Sequence, residues 1–273
     1  MSDLPEKPLL EHVYDLLETI RKILIIWVSI ILLLLILPAP HLVPRYTPLT
    51  FYLMNVTRKV MLSFEEHPVL YPLSSTLKVN SSNVVLISHG WFDSLTSAII
   101  MSGLVTIVVS SPVTLYFIYK FIEPGLYPHE KKVLRKYLSL AVILFITGVV
   151  YGFLIVLPLT FLVALWIAQL GGAAPLFSIL DFYQNILIGS LAIGVFFMFP
   201  LLILALGKVG IVSYDTLQKN WRFVLFLTIA VLVAVTPDPT PTSALALGLP
   251  FLGLYFFSMW LLKKNKYKRD YIH

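Results

Sequence analysis

Four carboxylates stand out by their settings. Glu130 closes a stretch reading Phe121-Ile-Glu-Pro124-Gly-Leu126-Tyr-Pro-His-Glu130, in which Pro124, Gly125 and Pro128 dictate a stiff, shaped turn. Glu123 lies in the same stretch, Asp15 lies near the N-terminus, and Asp238 lies in Thr236-Pro-Asp-Pro-Thr-Pro-Thr242-Ser243. A carboxylate in a partly dry site binds a guanidinium bidentately, with a geometry that lysine cannot copy. Glu130 therefore has two readings: an acid favoured by the dipole at a helix start, or an anionic site at a membrane surface for a cationic partner. Asp15 has the same two, as a charge on a solvated helix face or as a second member of such a site. Glu123 reads as a solvated charge at a helix end. Asp238 reads as part of an outer turn whose Thr242 or Ser243 caps the next helix.

Other chemistry is sparse. The chain has no cysteine, which excludes disulfides, thiolate metal sites and cysteine nucleophiles. The six histidines, at 12, 41, 67, 89, 129 and 273, show no ligand spacing. Metalloprotease, nucleophile-elbow and phosphate-loop motifs are absent. Ser88-His89-Gly90 is the most enzyme-like stretch and reads as loop polarity. No enzymatic activity, cofactor or metal is expected.

The elements that must position these acids are membrane helices. The 273 residues are 58% hydrophobic and 12% charged, against about 25% charged in a soluble domain. So few charges cannot cover the apolar surface, and lipid must. The net charge of +6 follows topology and anionic headgroups rather than nucleic acid. Six segments approach or meet the length of about 20 apolar residues that a bilayer core requires: 22–37, 94–119, 137–168, 182–206, 223–235 and 243–262. The fifth is too short to span comfortably, and the first is short unless the preceding helix continues into it. With both termini on the cytoplasmic side, the outer segments hold only Arg45, Arg58, Lys59 and Lys78, and the other sixteen of the twenty basic residues fall inside.

Before the first span, Leu9, Leu10, Val13, Leu16, Leu17 and Ile20 form one helical face opposite Glu11, His12, Asp15, Glu18 and Lys22, which predicts an amphipathic helix at the inner membrane surface. This segment carries five acids against three bases, so the first apolar run reads as a retained span and not a cleaved signal. The long outer loop 38–93 exceeds a bare connection. It carries sequons at Asn55 and Asn80 and a candidate strand over 84–87. Pro112, Pro158, Pro200 and Pro250 each fall inside a span, remove a backbone donor and predict bent helices. The predicted span cores hold no ionisable residue, which argues against an ion-coupled transporter.

The chain resembles TatC, the multi-spanning subunit of the twin-arginine protein translocase, over nearly all its length outside the first loop. The resemblance rests on Ser111-Pro112, Tyr116 and Phe121-x-x-Pro-Gly-Leu-Tyr-Pro-His-Glu130. It continues through Phe153 with Pro158, Gly194 with Pro200, Gly210-Ile-Val-Ser with Leu217, Thr236-Pro-Asp238, Leu245-Ala-Leu-Gly-Leu-Pro250 and Leu254-Tyr255. It implies an all-α membrane protein of six transmembrane helices in a curved bundle in the cell membrane, binding twin-arginine signal peptides of folded cargo. Glu130, Asp15, Phe121, Pro124, Leu126 and His12 are the implied peptide-binding residues, with TatA- or TatB-type single-span subunits and further copies of the chain as partners. Asp238 and the four span prolines take partner or structural roles. This chain departs from the family where Asp15 stands for a glutamate, Leu17 for an arginine and Met198 for a buried acid or amide, and where a glutamine after Asp238 is missing. The proline-rich turn and long first loop look more like archaeal members. The rival readings are a small-molecule secondary transporter, which the bent helices suit, and an intramembrane enzyme with its site in the outer loop.

Overall fold

A computed structural model describes residues 9–39, 46–67, 70–79, 84–209, 214–235 and 241–270. Four of its helical runs are long and apolar enough to cross a membrane: Leu10–Ile36, Asp93–Gly125, Lys131–Leu170 and Ile179–Leu204. The chain divides into two compact units, Met1–Met54 with Leu95–Ile143, and Asn55–Ser94 with Leu144–His273.

In the first unit, α1 (Leu9–Ile36) is a single helix of 28 residues. The amphipathic segment and the first span are therefore continuous, which supplies the length that 22–37 lacks alone. Helix α2 (Leu49–Leu62) starts after an antiparallel bridge between Pro38 and Pro48 and belongs to this unit up to Met54, its residues from Asn55 belonging to the second. Helix α4 (Asp93–Ile122) is the central element here. Trp27 of α1 donates its indole N–H to Thr114 Oγ1 of α4 at 3.2 Å. The hydroxyls of Thr50 on α2 and Ser102 on α4, both fully buried, share a hydrogen bond of 2.8 Å. Buried hydroxyls need such partners, since water is excluded from the site. Asn55 sits within α2 and Thr57 is buried, so this sequon is not in the surface loop that a glycosylation acceptor uses. Asn80 lies outside the described residues.

In the second unit, α3 (Tyr71–Leu77) leads to strand β1 (Val85–Ile87), which pairs in parallel with β2 (Leu176–Ser178). Helix α5 (Pro128–Tyr151) belongs to the first unit up to Ile143; its last residues, from Leu144, lie in this unit and run through a π-helical segment, Gly152–Val156, into α6 (Leu157–Leu170). After β2 come α7 (Ile179–Phe197), α8 (Phe199–Val209), α9 (Tyr214–Val235) and α10 (Pro241–Asp270). The core forms around Val156, Ile193 and Phe197, with α10 packed along α8 and α9. Close approach of α5 to α7 needs glycine: a Cβ on Gly194 would lie 2.5 Å from Val149 Cγ2, and one on Gly148 would lie 2.9 Å from Gly194 Cα. Small residues at helical spacing are how membrane helices bring backbones together.

The span prolines show what the lipid phase demands. Each deprives the carbonyl four residues earlier of its helical donor, and a bare carbonyl in hydrocarbon is costly. At Pro112 that carbonyl is Val108, and Ser111 Oγ donates to it at 2.8 Å. At Pro250 it is Ala246, and Tyr151 donates its hydroxyl from α5 at 2.6 Å. At Pro158 it is Leu154, and His67 Nε2 lies 2.7 Å away. A carbonyl only accepts, so His67 donates from Nε2. At Pro200 the helix breaks instead, with α7 ending at Phe197 and α8 restarting at Phe199 around Met198. A related repair occurs in α9, where Asn220 leaves helical geometry (φ −107°, ψ 17°) and buried Tyr255 donates to the Leu217 carbonyl at 2.9 Å.

This packing sets the expected effect of three substitutions. His67→Phe should cost about 1–3 kcal/mol, the penalty of an acceptor left without a donor in hydrocarbon. The loss should shrink in a Pro158→Ala background, where the alanine restores the backbone donor. Thermal unfolding of the four proteins in one detergent checks this, and equal losses in both backgrounds would break the proposed link. Gly194→Val should destabilise by about 1–3 kcal/mol or more through overpacking, whereas Gly103→Ala, with open space around its Cβ, should be neutral or stabilising by up to about 1 kcal/mol.

Candidate functional site

The hairpin between α4 and α5 is built by its prolines. The residue before a proline is steered away from helical geometry, and α4 gives way to a 3₁₀ turn, Glu123–Gly125. Leu126 is extended (φ −111°, ψ 143°), and its N–H bonds the Glu123 carbonyl at 3.2 Å. Pro128 then opens α5, where a helix has no use for an N–H. The N–H of Lys131 closes on the Tyr127 carbonyl at 3.1 Å. Glu130 is thus the third residue of α5, in the turn where the helix dipole favours negative charge.

The hairpin is braced across its two arms. Tyr119 donates its hydroxyl to Glu123 Oε1 at 3.0 Å, and Arg135 Nη2 donates to the Tyr119 oxygen at 3.3 Å. The guanidinium lies 5.4 Å from the Tyr119 ring centroid, within cation–π reach. Tyr119 is buried. Glu123 is half-buried and bonded, and its work is structural. Glu123, the first residue of the 3₁₀ turn, follows Tyr119 of α4 by four residues, a spacing legible in the sequence. The arrival of Arg135 from the facing helix is a tertiary fact that no local signal announces.

Helix α1 meets this hairpin through an aromatic contact. The His12 ring lies 5.5 Å from Phe121, tilted by 44°. Asp15 follows one turn along α1, half-buried, with its carbonyl accepting from Thr19 Oγ1 at 2.8 Å. On the next turn Glu18 pairs with Lys22 at 2.8 Å. Of the residues singled out in the sequence, the fold gathers His12 and Phe121 directly. Pro124, Leu126 and the backbone of Glu130 sit in the hairpin that Phe121 enters. Asp238 lies outside the described residues. Pro112, Pro158, Pro200 and Pro250 shape helices and stand apart from this hairpin in the chain.

The enzyme-like stretch in the first loop has a structural role. The Asp93 carboxylate accepts the N–H groups of His89 and Gly90 at 2.9 and 2.7 Å, and Ser88 Oγ donates to the Gly90 carbonyl at 2.7 Å. These bonds form a turn at the start of α4. Among the described residues no cluster of histidine and carboxylate side chains could hold a metal ion. No sequence signal points to His67 and Tyr151, because the carbonyls they serve are 87 and 95 residues away.

Comparison with known proteins bears on this arrangement. The Sec-independent protein translocase protein (TatC) family profile matches residues 11–250. Among curated relatives, the chloroplast TATC of Pisum sativum is 31% identical over 163 residues, covering 60% of this chain and 46% of the relative. TatC of Aquifex aeolicus is 31% identical over 167 residues, covering 60% of this chain and 68% of the relative. The matched stretch thus spans about half the length of the chloroplast relative. Two crystal structures of the twin-arginine translocase receptor TatC superpose with TM-scores of 0.63 and 0.64 at 25% and 26% identity. They cover 92% and 93% of this chain and 98% of each of those chains. The braced hairpin and the four span prolines lie within the matched residues, and the chain belongs to the TatC family.

Proposed function

We propose that this protein is the receptor subunit of a twin-arginine translocase, binding the paired arginines of signal peptides and helping folded cargo across the cell membrane. The observation that carries this is the family match running through the whole hairpin, Phe121 to Glu130, and through the α1 segment holding Asp15. In this reading six helices span the bilayer. The fifth and sixth come from α9 and α10, both termini face the cytoplasm, and α1 begins as an amphipathic turn at the inner surface.

Glu130 takes one guanidinium and Asp15 the other, with His12, Phe121, Pro124 and Leu126 forming the wall against which the peptide lies. The selectivity has a physical source. A carboxylate bonds guanidinium through two parallel N–H groups, and ammonium offers only a point charge. Each charge-assisted bond is worth about 1.5–3 kcal/mol, so two of them separate arginine from lysine decisively. Single-span TatA- or TatB-type subunits and further copies of the chain would complete the machine, with no catalytic step performed by this subunit.

Photo-cross-linking of a labelled twin-arginine peptide to the protein in membranes tests the assignment. Adducts should form at Phe121 and Leu126 and weaken about tenfold or more with a twin-lysine peptide, in keeping with the loss of at least one such bond. Glu130→Gln and Asp15→Asn should each weaken them similarly, while Glu18→Gln should not. Equal labelling by both peptides would sink the receptor reading.

A further inference from the structure

A groove of about 660 Å³ lies between α4 and α5, within the first compact unit. Its walls deep in the helices are apolar: Pro112 and Leu115 from α4, Leu138 and Val142 from α5. Toward the hairpin the lining turns polar, with Tyr119 and Arg135 at that end and Tyr116 and Ser139 about one turn deeper, beside Leu115 and Leu138. The lining residues recur at three- and four-residue steps on both helices, so each helix offers one continuous face. The helices run antiparallel, which sets a cation at one end of an apolar trough at least two turns long.

We propose that this groove is a binding site for one anionic phospholipid, with its phosphate at Arg135 and an acyl chain along Pro112, Leu115, Leu138 and Val142. The volume lies in the range of small-molecule sites. Arg135 is exposed and gives one N–H to the Tyr119 oxygen, while a guanidinium carries five N–H donors in a fork that suits phosphate. Lys131 is one helical turn nearer the hairpin on the face that carries Arg135, so the positive rim extends toward the headgroup region.

The sign of the charge selects the occupant. A peptide bearing paired arginines would meet like charge at this rim, and a zwitterionic lipid gains less from it than an anionic one. Basic side chains beside spans draw anionic headgroups, and here the cation opens onto a trough shaped for the attached chain. The lipid would also hold α4 and α5 together just beneath the Glu123–Tyr119–Arg135 brace. The inference does not depend on the receptor reading, because it uses neither Glu130 nor Asp15.

Native mass spectrometry of the purified full chain, with added phosphatidylglycerol or phosphatidylcholine, tests it. One phosphatidylglycerol should be retained in preference to phosphatidylcholine. Arg135→Gln should reduce that retention about tenfold, the scale of one lost charge-assisted bond, and Val142→Trp should reduce it by filling the trough. Tyr119→Phe cuts the brace while keeping the charge and the wall, and should leave retention intact. That variant separates lipid binding from hairpin stability. Retention unchanged in Arg135→Gln would overturn the site, as would equal binding of both lipids. If Val142→Trp abolished cross-linking of a signal peptide while lipid retention stayed as in the parent, the groove would belong to the peptide.

Discussion

A carbonyl without a donor cannot be left in hydrocarbon, and much of this fold is arranged to prevent that. Pro112, Pro158 and Pro250 each strip a donor from a helix, and in each case a named side chain replaces it: Ser111, His67 and Tyr151. The first repair is local, made by the neighbouring residue. The other two are long-range, and they convert a backbone defect into a tertiary tie. His67 anchors the segment before β1 to the helical run of α5 and α6, and Tyr151 fastens α5 to α10. Net hydrogen-bond energies are modest, but the cost of leaving the acceptor bare is not, so these ties resist being broken singly. The same logic explains Tyr255, fully buried with its hydroxyl on the carbonyl opened by the kink at Asn220.

Helices bent and tied in this way can also be packed close. The π segment Gly152–Val156 precedes Pro158, and Gly152 and Gly148 face Ile193, Phe197 and Gly194 on α7. An extra residue in the helical turn shifts the register of side chains, and glycine lets the backbones approach where that shift would otherwise cause clashes. Proline, π segment and glycine are therefore one device, which explains why such weak individual motifs carry a specific signal when they occur together in order.

Much of this is readable without coordinates. The apolar runs mark the helices, Pro124 and Pro128 mark the hairpin, and 84–87 reads as a strand that the structure trims to Val85–Ile87. The strand's partner, Leu176–Ser178, is not readable, since nothing local pairs segments 91 residues apart. Helix α1 shows a different limit. Polar residues on one face suggest a separate surface helix, but no proline or glycine interrupts the segment, and helix propagation is favourable once begun. His67 is invisible as a donor because its acceptor exists only through Pro158, far along the chain. The brace at Glu123 is half visible, through its spacing to Tyr119, and Arg135 can be assigned only from the fold.

The placement of charge gives the last step. The span cores are read as free of ionisable residues, so selective electrostatics are confined to the helix ends. At the hairpin the charges are not equivalent. Glu123 is held by Tyr119, and that tyrosine is in turn held by Arg135. This chain of bonds ties the end of α4 to α5 across the hairpin. Glu130 occupies the first turn of α5, just past a proline-stiffened corner, near the N-terminal end of the helix dipole. The acid that builds the hairpin and the acid proposed to recognise a partner are thus different residues. That separation leaves the proposed recognition acid free of any duty in the scaffold.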